Sequence, residues 1–440
     1  MAARRTDAVN AARKSTLPAR AATARLRTQC ARGLASRLLP VIAAVVAAGS
    51  VAPAARASET EQWVSPISLH SQTYACCMPF ELKEKVVREA VDLGAGYLRV
   101  DIYLDALFDA GGERRATPDF SGIDEIVWLA RRYRVRLLAI MVGTPGYLST
   151  CPQAGPRGWF KCPPRDAGEY GRLVAEVVAR APDVFKYVEV WNEPDGAWSF
   201  AGKPTDYAAM LQSAYRSVKA QFPDTQIVIA APMTLSGGTR WYEQLFAALG
   251  RARPFDVANA HVRVPLEQVR ATMLRWRRFY ADHGVARLPL WVTEFAYPSD
   301  PRWQIPPYNG GELAQARYYE RAIPELLHAG ADQVFVTLRD GYLDEQDERW
   351  LSEGLESLDI RNPPYALRRK PAFAAVRGLV ARLAREWQQA HATWQAHAAG
   401  AASSRTAGRR SQRRRRPKAT TNGGDRGRLG ARPWTARNGG

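Results

Sequence analysis

The sequence predicts an α/β fold closed into a (β/α)8 TIM barrel, and three observations carry that expectation. Short apolar runs alternate with amphipathic stretches from residue 64 to residue 395. The runs are almost continuously apolar, as strands covered on both faces must be. Eight such units in this span suit a barrel better than an open sheet. An open doubly wound sheet is the alternative, but no Gly-rich phosphate loop follows its first strand, where the chain reads "SLHSQTYACC". No nucleotide is expected.

The elements follow in order. "SPISLH" (65–70) is the first strand, and helix "ELKEKVVREAVDLGAG" puts Leu82, Val86, Ala90 and Leu93 on one face. Strand "YLRVDI" (97–102) follows, then helix "IDEIVWLARRY" and strand "RLLAIMV" (136–142). Helix "AGEYGRLVAEVVARA" leads to "KYVEV", a strand that Pro194 must end because it cannot donate to a ladder. Helix "TDYAAMLQSAYRSVKAQF", with Tyr207, Leu211, Ala214 and Val218 in register, leads to "QIVIAA". A short helix at Trp241–Leu249 leads to "FDVANAH", and helix "LEQVRATMLRWRRFYADHG" to "LPLWVTEF". Helix "GELAQARYYERAIPELLHAG" leads to "DQVFVTL", and "KPAFAAVRGLVARLAREW" completes the eighth unit.

The net charge of +19 belongs to the ends of the chain. Residues 1–57 carry +9 and residues 401–440 carry +11, which leaves −1 for residues 58–400. Nucleic-acid binding therefore does not follow for the core from its high pI. Residues 1–57 have the order of an export segment: a basic region to Arg37, the apolar run Leu38–Gly49, then Ala55-Arg56-Ala57 as an A-x-A-like cleavage site. The apolar run is short of the ~20 residues that span a bilayer. A secreted or periplasmic protein is expected, with cleavage near Ala57 and an uncleaved anchor as the alternative. Residues 401–440, rich in Gly, Ser and Arg, read as a disordered tail with too little apolar surface to offset ordering. Such a tail could adhere to an anionic envelope or polymer.

Cys30 would leave with the export segment. Cys151 and Cys162 bracket a Pro- and Gly-containing loop suited to a disulfide in an oxidising compartment, although four cysteines allow three pairings. Adjacent Cys76 and Cys77 fit no zinc spacing. No metal or cofactor is expected.

Barrel active sites lie at the C-terminal strand ends. Glu193 ends the fourth strand in "EVWNEP", and Glu294 ends the seventh in "LWVTEFAYP". A carboxylate left unpaired in an apolar setting is expensive. Either Glu alone could be solvated or paired with Arg, but two converging on a barrel mouth are what glycosidic cleavage requires. One must donate a proton while the other faces oxocarbenium charge.

"VEVWNEPD" and "LWVTEFAYPS" resemble the strands of retaining glycoside hydrolases of clan A, and residues 64–395 look most like glycoside hydrolase family 39. The resemblance implies Glu193 as acid/base, Glu294 as nucleophile and Asn192 as partner of a sugar 2-hydroxyl. It also implies a sixth-strand role for His261, and for Arg99 a place beside a carboxylate of the site. Glu189 reads as a paired structural charge. Two residues depart from the family: Arg263 stands where relatives carry Tyr, and Phe335 where they often carry a Trp platform. Arg263 could bind an acidic sugar or point outward. Trp198 and Tyr297, with Trp159, Phe160, Phe200 and Trp303, lie on loops where aromatic rings could stack on sugars or simply pack. The expected partner is a poly- or oligosaccharide. A carbohydrate-binding barrel without turnover is the second reading, and a basic-tail protein adhering to nucleic acid or envelope the third.

Overall fold

The computed structural model describes residues 63–76, 78–233, 235–341, 349–359 and 366–414. Eight strands form the barrel wall: β1 (Ile67–Tyr74), β2 (Leu98–Tyr103), β3 (Leu137–Val142), β4 (Tyr187–Val190), β5 (Gln226–Ile229), β6 (Ala258–Val262), β7 (Leu290–Phe295) and β8 (Gln333–Thr337). Helices alternate with them: α1 (Phe80–Leu93), α2 (Ser121–Tyr133), α3 (Ala167–Arg180), α4 (Pro204–Gln221), α5 (Leu235–Leu249), α6 (Leu266–Asp282), α7 (Gly311–His328) and α8 (Pro371–Arg414). The strands are all parallel, in the order β5-β4-β3-β2-β1-β8-β7-β6. The β5–β6 seam is closed by a Val228–Val257 bridge and by Asp256 N–H donating to the Ile227 carbonyl at 2.8 Å. The alternating pattern is thus a nearly closed (β/α)8 barrel rather than an open sheet.

Burial explains the apolar runs. Every residue of β2, β3 and β7 is buried, because helices cover one face and the barrel interior fills the other. The interior is layered. Near the N-terminal strand ends, Tyr97, Tyr187, Trp291 and Phe335 stack as a floor, with Tyr187 and Trp291 centroids 4.9 Å apart. Above them, alternate strands β2, β4 and β6 contribute Arg99, Glu189 and Asn259, as layers in such barrels do. The site lies above this polar layer.

Phe335 belongs to the floor, in register with Ser68 of β1. It is two residues short of the end of β8, so the expected substitution of a sugar platform by Phe335 does not hold. The Cys151–Cys162 disulfide is present, with Cα atoms 6.0 Å apart. Cys77 lies outside the described residues, as do residues 1–62, so the readings of the adjacent cysteines and of the export segment fall there. Helix α8 runs to Arg414, so residues 401–414 are helical and not the irregular chain expected of them. Their Ala, Arg and Gln content favours a helix once one is started; residues 415–440 lie outside the description. Among the described residues, no helix is long and apolar enough to cross a membrane.

Candidate active site

The turn after β4 presents Glu193. Trp191 and Glu193 both adopt positive φ, at 68° and 38°, conformations that cost non-glycine residues energy and persist only where the surroundings impose them. Trp191 N–H donates to the Met141 carbonyl at 2.9 Å, and the indole is buried against Tyr170 and Phe200. The Ser199 hydroxyl donates to the Asn192 carbonyl at 2.5 Å. From α4, the Tyr207 hydroxyl donates to the Val190 carbonyl and accepts from Ala230 N–H, each at 2.8 Å, tying β4 to β5. The sequence "VWNEPDG" folds this way because the large indole is driven outward under the helices while Asn192 and Glu193 are carried to the mouth.

Glu294 is aimed by a bulge. Along β6, Ala260 pairs with Val292 but His261 pairs with Glu294, and along β8 the register against β7 shifts over the same stretch. The extra residue lets Thr293 and Glu294 both reach inward-facing groups, which strict alternation forbids.

The two carboxylates converge with His261. His261 Nδ1 lies 2.7 Å from Glu193 Oε1 and 3.8 Å from Glu294 Oε1. One ligand atom from each of Glu193, His261 and Glu294 lies within 4.8 Å of the other two. That spacing would also suit a cation; three separate strands supply it, so no sequence spacing displays it. A cation of the chain itself already stands there. The Arg263 guanidinium contacts Glu294 Oε2, while its Nε and Nη2 donate to Glu353 Oε2 at 3.2 and 3.1 Å. Arg263 therefore points into the site, against the outward alternative, and is engaged by carboxylates rather than left open for an acidic sugar.

Beneath the pair, His261 Nε2 meets Thr293 Oγ1 at 3.1 Å, and the Thr293 hydroxyl donates to Asn259 Oδ1 at 2.6 Å. Asn259 Nδ2 donates to Glu189 Oε1 at 3.2 Å and to the Ile229 carbonyl at 3.1 Å. Arg99 closes the chain with a 2.8 Å contact to Glu189. Burial pushes the Glu189 carboxyl up and the Arg99 guanidinium down, and their contact opposes both. A guanidinium keeps its proton, and its 2.8 Å contact with Glu189 favours the carboxylate against the cost of burial. Burial, helped by Arg263 and Arg99, holds His261 well below the usual imidazole range, so it is neutral.

Other expected site residues lie elsewhere. Arg99 is 1% exposed and lies beneath the mouth, in contact with Glu189, which accepts from Asn259. Tyr297 is 2% exposed; its hydroxyl is held by the Ile305 and Tyr308 carbonyls and its ring stacks on Tyr318 at 4.2 Å. It packs the loop after β7 rather than offering a face to a sugar. Trp198 is half-buried with its N–H directed at Met233 Sδ at 3.0 Å. Trp159 and Phe200 are buried, and Trp303 keeps an exposed face. Sequence reasoning missed Asn259, Thr293 and Glu353. Asn259 shares strand parity with His261, and Thr293 adjoins Glu294, so both carried a readable signal; Glu353 sits in a loop after β8 and carried none.

A buried carboxylate pair thus lies at the C-terminal mouth of a (β/α)8 barrel, where the active sites of such barrels sit. Residues 168–328 match the family model described as glycosyl hydrolase catalytic core. Among solved structures, the fold is similar to a family 39 glycoside hydrolase from Xanthomonas axonopodis pv. citri, at TM-score 0.56 and 18% identity over 72% of this chain. It is also similar to a family 39 enzyme from Bacteroides cellulosilyticus WH2 (TM-score 0.52, 16% identity, 72% of this chain). A glucosidase from Croceicoccus marinus is a third (TM-score 0.52, 15% identity, 73% of this chain and 68% of that one). The chain spans 66% and 63% of the two family 39 structures, just under two thirds of their length. No curated protein matches.

Proposed function

We propose that the protein is an exported retaining glycosidase that cleaves O-glycosidic bonds of a poly- or oligosaccharide by double displacement. Glu193 is the acid/base and Glu294 the nucleophile. The observation that carries this reading is the approach of the two carboxylates: an oxygen of each lies within 4.8 Å of the other. Retaining enzymes hold their carboxyl groups about 5–5.5 Å apart, whereas inverting enzymes leave about 6.5–9.5 Å for a water. The spacing here supports direct attack by Glu294 on the anomeric carbon. Glu193 protonates the departing oxygen and then takes a proton from the water that releases the sugar. Arg263 favours the charged form of Glu294. Asn192, beside Glu193 at the mouth, is the proposed partner of the 2-hydroxyl. The family 39 likeness of the fold supports the choice of chemistry, and the Cys151–Cys162 disulfide supports an oxidising, extracytoplasmic location.

A second reading has one observation in its favour. The ion pair between Arg263 and Glu294 covers the nucleophile, as would suit a carbohydrate-binding barrel with little turnover. A single screen separates the two: wild type against Glu294→Gln on a panel of plant and bacterial polysaccharides. Release of reducing ends by wild type alone supports the glycosidase. Binding without release by both proteins supports the second reading.

A further inference from the structure

The hydrogen-bond chain beneath the site has a direction, and it can be read from the bottom upward. Glu189 Oε1, in ion contact with Arg99 Nη2 at 2.8 Å, accepts from Asn259 Nδ2. The second hydrogen of Asn259 Nδ2 is used on the Ile229 carbonyl, which also only accepts. These two acceptors fix which end of the Asn259 amide is nitrogen, and Oδ1 must therefore face Thr293. The Thr293 hydroxyl has one proton and gives it to Asn259 Oδ1 at 2.6 Å. Towards His261 it can offer only a lone pair, so His261 Nε2 carries the hydrogen in their 3.1 Å contact. In a neutral imidazole the other nitrogen is then an acceptor. That nitrogen, Nδ1, lies 2.7 Å from Glu193 Oε1, a hydrogen bond that forms only if Glu193 supplies the proton.

We infer that Thr293 and Asn259, oriented by the Arg99–Glu189 ion pair, are positioning residues that lock His261 as the Nε2–H tautomer and so keep Glu193 in its acid form at rest. The inference rests on the glycosidase reading for its catalytic meaning, although the tautomer itself does not. As a Glu294 oxygen bonds the anomeric carbon and the glycosidic bond breaks, the proton passes from Glu193 to the leaving oxygen, which takes the bonding electrons. The new carboxylate then faces the Nδ1 lone pair. That repulsive contact favours return of a proton from the incoming water, whose hydroxide oxygen bonds the anomeric carbon and frees Glu294. His261 stays neutral throughout. The charged and titratable groups facing it are Glu193 after β4, Glu294 from β7, Arg99 from β2 and Arg263 after β6; Glu189 and Asp101 stand against Arg99, and Glu353 of the loop after β8 against Arg263. Burial and the two arginines hold the imidazole neutral against the carboxylates.

The test uses the full chain labelled with 15N-histidine, with the His261 signal identified by its loss in His261→Gln. The wild type is expected to show the Nε2–H tautomer at neutral pH. An Nδ1–H tautomer or an imidazolium would overturn the relay, whether or not the protein turns over sugar. In parallel, Thr293→Val and Thr293→Ser are assayed on two glycosides of the same sugar. One has a dinitrophenyl leaving group that needs no proton; the other has an alkyl leaving group that does. Thr293→Val should lose at least tenfold in kcat/KM on the alkyl glycoside and little on the dinitrophenyl one, with the basic limb of its pH profile moved to lower pH. Thr293→Ser should restore both. Equal losses on the two glycosides would contradict the positioning role, since misfolding or general disruption affects both. A wild type with the Nε2–H tautomer but no turnover would support the lock and refute the glycosidase reading instead.

Discussion

Arg263 joins Glu294 to Glu353: its guanidinium contacts the first and donates to the second at 3.1 Å, with both carboxylates almost fully buried. The contact places a permanent charge beside the proposed nucleophile and anchors it to the loop after β8. Arg263→Gln should therefore slow formation of the glycosyl-enzyme, on the order of 10²-fold, the usual cost of misplacing a reacting group by about 1 Å. Glu353→Gln should do the same more weakly, and the double variant should fall short of the sum. A coupling of about 0.5–3 kcal/mol is expected for groups in one ion-pair network. Pre-steady-state rates of the three variants measure it; strict additivity would show that Glu353 does not act through Arg263.

The ion pair between Arg99 and Glu189 lies inside the barrel, and both side chains are at most 1% exposed. Glu189→Gln leaves the guanidinium buried without its countercharge, a change that costs about 3–5 kcal/mol when one partner of a buried pair is removed. Arg99→Met added to Glu189→Gln should recover part of that loss. Urea unfolding of the single and double variants checks both statements. A single variant as stable as wild type would mean that the pair does not hold the polar layer.

How much of this was legible in the sequence differs from residue to residue. The eight strands and helices were readable because each strand is buried on both faces and each helix on one, so period and apolar content agree. Glu193 and Glu294 were readable because a carboxylate at the end of an apolar strand is costly unless it is used. Their alignment was not readable: it depends on the bulge at Thr293–Glu294 and on positive φ at Trp191 and Glu193, and neither has a local residue signal such as glycine. Tyr297 and Phe335 were misplaced for a related reason. An aromatic residue near a strand end reads the same whether it opens to the mouth, packs a loop or floors the barrel, and only the register decides.

Asp195, two residues beyond Glu193, accepts from Met233 N–H at 2.9 Å and links the loops after β4 and β5. Burial, opposed by that N–H, pushes its carboxyl up to about 6 from 3.8. The folded chain then holds a proton that the unfolded chain has lost, so stability falls as pH rises from about 3.8 through about 6 and levels off above. Asp195→Asn keeps the accepting oxygen and removes the titration. Its Tm should match wild type near pH 4 and exceed it above pH 6; a gap independent of pH would contradict this account.

The central claim is that Glu294 forms a covalent bond to sugar, and trapping tests it most directly. A 2-deoxy-2-fluoro glycoside with a dinitrophenyl leaving group, of a sugar that the wild type cleaves, slows both steps but lets the first proceed. Peptide mass spectrometry should then find one fluorosugar on Glu294, absent from Glu294→Gln and still formed by Glu193→Gln. A label on any other residue, or turnover of the natural substrate with no label accumulating, would contradict the claim.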